Sequence, residues 1–152
     1  MNEPKLRVVL DLNVLISAYF FSKPDAPPRL VLEAALNEQF VMLHSEDYRA
    51  DLVEAFSKEK FIAKLVQLNQ TPQSIRDTLS NLGEEVPSQF VPYGIVRDED
   101  DSVILGCAVG GYADYIVSGD NDLTVLESYQ NIPIVKPNQF LAILNPPVEE
   151  RL

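Results

Sequence analysis

Aliphatic and β-branched residues run without interruption from Leu6 to Leu10, the pattern of a strand covered on both faces. The segment NVLISAYFF that follows has helical character. SKPDAPP is a turn, and Pro27 and Pro28 can open the next helix, because a first-turn proline gives up no hydrogen bond. RLVLEAALNEQ continues that helix with Leu30, Ala34 and Ala35 at helical spacing, and FVMLH reads as a short second strand. Ser45 is placed to cap EDYRADLVEAF, with Glu46 and Asp47 near the positive helix end. KEKFIAKLVQLNQ is a further amphipathic helix. TPQSIRDTLSNLG is another, with Thr71 as cap, Pro72 in its first turn and Gly83 as its stop. Downstream, SQFVPYG reads as a third strand or extended piece, DDSVILGCAVGG as a helix closed by Gly110 and Gly111, and DYIVSGD as a fourth strand entering a loop at Asp120. IPIV is a fifth strand and PNQFLAIL a last helix.

Strands separated by helices, with no hairpin turn signals, predict an α/β fold: three α/β/α layers around a central parallel sheet of about five strands. Residues 1–145 read as one domain, without repeat or linker, and residues 146–152 as a frayed tail.

Composition narrows the classes. A chain of 152 residues with 46% hydrophobic content can build an adequate core. Its single cysteine, Cys107, excludes an intrachain disulfide framework and a cysteine zinc cluster, and reads as a small buried apolar side chain. Lys5 and Arg7 precede an apolar stretch, but Asp11 and Asn13 interrupt it and no small-residue cleavage site follows, which argues against a signal peptide. No apolar run approaches the ~20 residues of a membrane span, so a cytoplasmic protein is expected. The net charge of −11 is uneven: residues 1–76 hold nine basic against ten acidic residues, and residues 77–152 three against thirteen. That excludes a uniformly basic nucleic-acid binder and leaves either a solvated acidic surface or acids converging on a metal.

The positions of the acids favour convergence. In an open parallel sheet, ligands sit beyond the carboxyl ends of the strands, where strand order reverses. Asp11 follows the first strand and Asp120 the fourth, and these two would be neighbours at that switch point. Asp101 begins the helix DSVILGCAV, so its side chain would point back toward the strand ends. Asp51 borders the apolar stripe of its helix formed by Leu52, Ala55 and Phe56. Like charges held this close call for a cation or a shared proton. A cluster of Asp11, Asp51, Asp101 and Asp120, with Asn13, Ser118 and Asp122 nearby, is all oxygen, the donor set that Mg²⁺ and Mn²⁺ prefer. Such ions can activate water against a phosphodiester.

VVLDLNVLISA, RDEDDSVILGCAVGGYADYIVSGDNDL and IPIVKPNQFL together resemble the PIN-domain family of metal-dependent ribonucleases, in the branch of toxin components of toxin–antitoxin pairs. The match runs in order over nearly the whole chain. The resemblance implies Asp11, Asp101 and Asp120 as metal ligands and Asp122 as an auxiliary acid. It makes Asn13, Ser17 and Ser118 the supporting polar shell. Asp51 aligns where that family most often has Glu, a side chain one methylene longer, so Glu54 one turn on is an alternative. A homodimer and a small antitoxin are the implied partners, and RNA the implied substrate.

RNA is as negatively charged as this chain, so Lys58, Lys60, Lys64 and Arg49 are expected to form a local rim for phosphates. His44 reads as a structural or surface residue, and Tyr112 and Tyr115 as packing residues. Two other functions compete with the nuclease. An aspartyl-phosphate phosphohydrolase built on Asp11 usually needs a second acid two residues on, where this chain has Asn13, and a positioned lysine, which it lacks. A noncatalytic module kept for dimerisation or partner binding is the third reading.

Overall fold

The computed structural model describes residues 4–146; the predicted frayed tail lies almost wholly outside them. Six strands form one sheet in the order β3-β2-β1-β4-β6-β5. β1 (Arg7–Leu10) pairs in parallel with β2 (Val41–His44) and with β4 (Tyr115–Val117). β2 pairs in parallel with β3 (Glu84–Glu85), and β4 with β6 (Ile132–Val135). Val8, Val9 and Leu10 are all fully buried. Successive strand residues face opposite ways, so helices must cover both faces of the sheet, which gives the three layers expected.

Apart from a single turn at Asn121–Thr124, where a loop is expected after Asp120, the helices form where caps and apolar spacing place them. They are α1 (Leu12–Ile16), α2 (Pro27–Leu36), α3 (Glu46–Phe56), α4 (Glu59–Gln67) and α5 (Pro72–Leu82), then α6 (Ser102–Gly110), α7 (Asn121–Thr124) and α8 (Pro137–Leu144). Ser45 caps α3 by accepting from the Tyr48 amide, and Thr71 and Ser74 form a reciprocal capping box on α5. α1 does not continue as an α-helix: Ser17–Phe21 is a π-helical segment.

Two departures from expectation have local causes. The piece expected at 88–94 joins no strand; the pairing residues are Glu84 and Glu85, just after α5. The following chain lies instead against α6, where the Gln89 amide donates to the Gly106 carbonyl at 3.0 Å. A Cβ on Gly106 would meet the Gln89 carbonyl oxygen, and one on Gly110 would fall on that of Pro87. α6 is thus enclosed all round, burying Ile104 through Ala108 in succession.

The second departure is a hairpin. β5 (Ser128–Tyr129) pairs antiparallel with β6 across Gln130 and Asn131, whose φ angles are +47° and +66°. Positive φ at both central residues is the I′ geometry that suits strand twist, but Gln-Asn is not the Asn-Gly or Asp-Gly signal that marks such turns in a sequence.

Candidate functional site

The site grows from the two central strands. The Asp11 amide donates to the Val117 carbonyl at 2.9 Å, so Asp11 continues the β1–β4 ladder by one residue before the chain turns into α1. Asp11 then caps α1, its Oδ1 accepting from the Asn13 amide at 3.3 Å. Ser118, the residue after β4, is fully buried. Its hydroxyl donates to Asp11 Oδ2 at 2.7 Å and accepts from the Asp120 amide at 3.0 Å. One serine therefore ties the carboxylate after β1 to the turn that presents Asp120. Asp120 in turn caps α7 by accepting from the Asp122 amide at 2.9 Å.

A 3₁₀ turn, Glu99–Asp101, leads into α6 and brings Asp101 over the same strand ends. Oxygens of Asp101, Asp120 and Asp122 lie within 4.8 Å of one another. Asp101 Oδ2 is buried and has no hydrogen-bond partner among the described residues. Burial first, then the charges of Asp11, Asp120, Asp98 and Asp122, push its carboxyl up to about 7. Burial also raises Asp11, against the lowering effect of the Ser118 and Asn13 hydrogen bonds. A buried carboxylate oxygen facing only other acids is a costly arrangement without a cation, and the oxygen-only donor set suits a hard divalent one.

These residues open into a crevice of about 350 Å³. Asp51 and Glu54, three residues apart and so on one face of α3, line its wall with Asp98 and Asp100. The Asp51 carboxyl is raised, chiefly by burial and then by Asp100 and Glu54. Lys58, the residue capping α4, is the only cation among the crevice residues.

Of the residues expected at the site, Asp11, Asn13, Asp51, Asp101 and Asp120 share the crevice, with Asp122 and Ser118 bonded to its acids. Asn13 takes part through its backbone, and Ser17 and Arg49 line other depressions. The Asn13 side chain is exposed, and what it gives Asp11 is its backbone amide. The Ser17 hydroxyl pairs with Ser22 at 3.1 Å and lines an adjoining depression together with Asn13, Gly119 and Asp120. Arg49 faces another depression, held by His44 Nδ1 at 2.7 Å and Glu85 at 3.6 Å. It does not join the lysines.

His44 is structural as expected: Nε2 donates to the Ser80 carbonyl and Nδ1 accepts from Arg49. Cys107 is buried, which lifts its thiol to about 11. Tyr115 packs against Phe140, whereas Tyr112 is 85% exposed, a correction to its reading as a packing residue. Two residues of the site went unforeseen. Tyr48, fully buried, donates to the Leu10 carbonyl at 2.6 Å and lines the crevice beside Asp11. The Arg97 guanidinium approaches Asp122 at 3.9 Å from an exposed loop. Nothing in the local sequence marks either one.

No helix among the described residues is long and apolar enough to cross a membrane. No curated protein matches the chain. Its fold is similar to that of a chain in the crystal structure of VapBC2 from Rickettsia felis bound to a DNA fragment from their promoter, with a TM-score of 0.56 and 16% identity. That alignment covers 86% of this chain and 98% of the other, a likeness of fold. A family profile described as "PIN domain" matches residues 7–122, which run from the first strand through all the acids of the crevice. With that span matched in sequence and the same fold around it, the chain belongs to the PIN-domain family.

Proposed function

We propose that this protein is a Mg²⁺- or Mn²⁺-dependent endoribonuclease and the toxin of a toxin–antitoxin pair. The observation that carries the metal-dependent reading is the buried, unpartnered Asp101 oxygen beside Asp120 and Asp122. Those three acids would hold the ion. Asp11 completes the donor set, since each of its oxygens accepts one hydrogen bond and keeps further lone-pair capacity. A divalent ion held there would supply a lowered pKa for water and offset charge developing on a phosphodiester.

The chain's own residues do the rest. Ser118 keeps Asp11 and the Asp120 turn in fixed register, and Asp101 would hold the ion as a carboxylate. Asp51, with Glu54 beside it, orients water at the crevice wall, the shorter Asp standing where Glu is usual. Lys58 meets the phosphate at the crevice, and Lys60 and Lys64 extend that contact along α4. The toxin reading rests on the sequence resemblance and the shared fold; it brings a small antitoxin and a second copy of the chain as partners, acting in the cytoplasm.

Incubation of a structured RNA with Mn²⁺ tests the proposal. Wild type is expected to cleave, EDTA to stop it, and Asp11→Asn and Asp120→Asn each to abolish it. Equal, metal-independent cleavage by all three proteins would refute it. Absence of cleavage with intact partner binding would favour the noncatalytic module.

A further inference from the structure

The π-helical segment and α4 build an aromatic ledge next to the crevice. Phe20 stacks on Phe61 with centroids 4.3 Å apart and planes 7° from parallel. Phe21 meets Phe61 edge-on at 6.1 Å and is 64% exposed. Lys64 Nζ lies 5.0 Å from the Phe21 centroid, and Lys60 Nζ 5.0 Å from that of Phe61. A π-helical turn is rare and often marks a functional position. This one carries two adjacent phenylalanines, both against Phe61, and leaves one of them largely in water.

The two elements that carry the ledge reach the crevice at their starts. Ile16, which precedes the π-helical turn, and Lys58, which caps α4, both line it. Charge singles out the same place: residues 58–67 hold three of the chain's twelve basic residues and one of its 23 acids. Lysine is depleted in the cores of protein interfaces, yet here two lysines lie over the rings themselves. Phe61 is buried and Phe20 half-buried, so the exposed ring of the ledge is Phe21, and an exposed aromatic ring flanked by cations is the pattern on which unpaired nucleotides stack.

Resting on the reading that the crevice acts on RNA, we infer that Phe21, Lys60 and Lys64 hold an unpaired stretch of the RNA strand beside the crevice. One base stacks on Phe21 and the lysines meet the adjacent phosphates. A duplex offers no free base face, so the ledge engages only unpaired nucleotides.

The test is fluorescence anisotropy with labelled oligo(U) and a blunt RNA duplex, in Mg²⁺. It uses the Asp120→Asn background, which removes one crevice charge and blocks turnover. Oligo(U) is expected to bind better than the duplex. Phe21→Ala and Phe21→Leu should each weaken oligo(U) binding about 5- to 100-fold, while Phe21→Tyr retains it. Replacing both lysines by Gln should reduce the salt slope by about 1.4. Unchanged oligo(U) affinity in Phe21→Ala and Phe21→Leu, or equal binding of the duplex, would overturn the ledge. So would a loss of dimer mass in Phe21→Ala with RNA affinity intact, which would assign Phe21 and the neighbouring exposed Ile62 and Val66 to a second copy. Mn²⁺-dependent cleavage by wild type, with the Phe21 variants binding normally, removes the ledge alone. Phe21-dependent binding without any cleavage removes the nuclease reading alone.

Discussion

Replacing Asp101 by Asn should stabilise the metal-free protein at neutral pH. The Asp101 carboxyl is raised from its ordinary 3.8 to about 7 by burial and by Asp11, Asp120, Asp98 and Asp122. Between those values the native chain holds a proton that the unfolded chain has lost, so stability falls as pH rises. The contribution is fully present below about 4 and is lost as pH passes about 7. At ~1.4 kcal/mol per pKa unit the shift corresponds to about 4 kcal/mol, which partial access of water to the carboxyl reduces to about 2. In urea unfolding with EDTA, wild type and Asp101→Asn should be nearly equal at pH 4, and the variant about 2 kcal/mol more stable at pH 8. In thermal unfolding that is about 4–8 °C. Acids remote from Asp101 cancel in the difference, while its repulsion by Asp11, Asp120, Asp98 and Asp122 is part of what the substitution removes. Saturating Mn²⁺ should reverse the order, raising wild type by about 3 kcal/mol at a hundred times its Kd and leaving the variant nearly unchanged. A difference that stays constant from pH 4 to pH 8, or an equal gain from Mn²⁺ in both proteins, would refute the reasoning.

Two further substitutions probe the scaffold. Ser118→Ala removes the hydroxyl between Asp11 and the Asp120 amide, leaving a buried carboxylate oxygen and an amide short of a partner. It should cost about 2–3 kcal/mol in urea unfolding, together with most of the Mn²⁺ affinity; a loss under 0.5 kcal/mol would contradict the bridging role. His44 is the only histidine, so its ring signal can be titrated directly by NMR. Burial first, and then Arg49, hold it below its ordinary 6.5. Its stabilising contribution is therefore present above about 6.5 and lost as pH falls through the lowered value. Arg49→Gln should move the pKa upward, and a wild-type value at or above 6.5 would rule out the neutral tautomer that the Ser80 and Arg49 contacts require.

The central architecture was legible in the chain because its signals are local. An unbroken apolar run such as Val8–Leu10 can only be covered on both faces, and Ser45, Thr71 and the paired prolines mark helix starts by satisfying or dispensing with particular amide donors. The ends of β1 and β4 follow, and with them Asp11 and Asp120 in one crevice. What stayed hidden depends on distance in space. Glu84 and Glu85 form a strand only because β2 offers an edge to pair with, and Gln130 and Asn131 turn a hairpin against their own weak propensity because β6 is already paired with β4. Arg49 was grouped with the lysines by charge alone; His44 and Glu85, brought together by β2 and β3, draw it to another face. Ser17 pairs with Ser22 in an adjoining depression that Asn13 and Asp120 also line, a placement set by contacts in space. The sequence by itself determined which acids stand at strand ends and helix starts. The tertiary structure alone decided that Ser118 braces two of them, and that one oxygen of Asp101 is buried among like charges without a donor. Hydrogen bonds and Coulomb repulsion act through space: the Ser118 hydroxyl reaches Asp11 from a distant part of the chain, and the charges of Asp11 and Asp120 meet at Asp101.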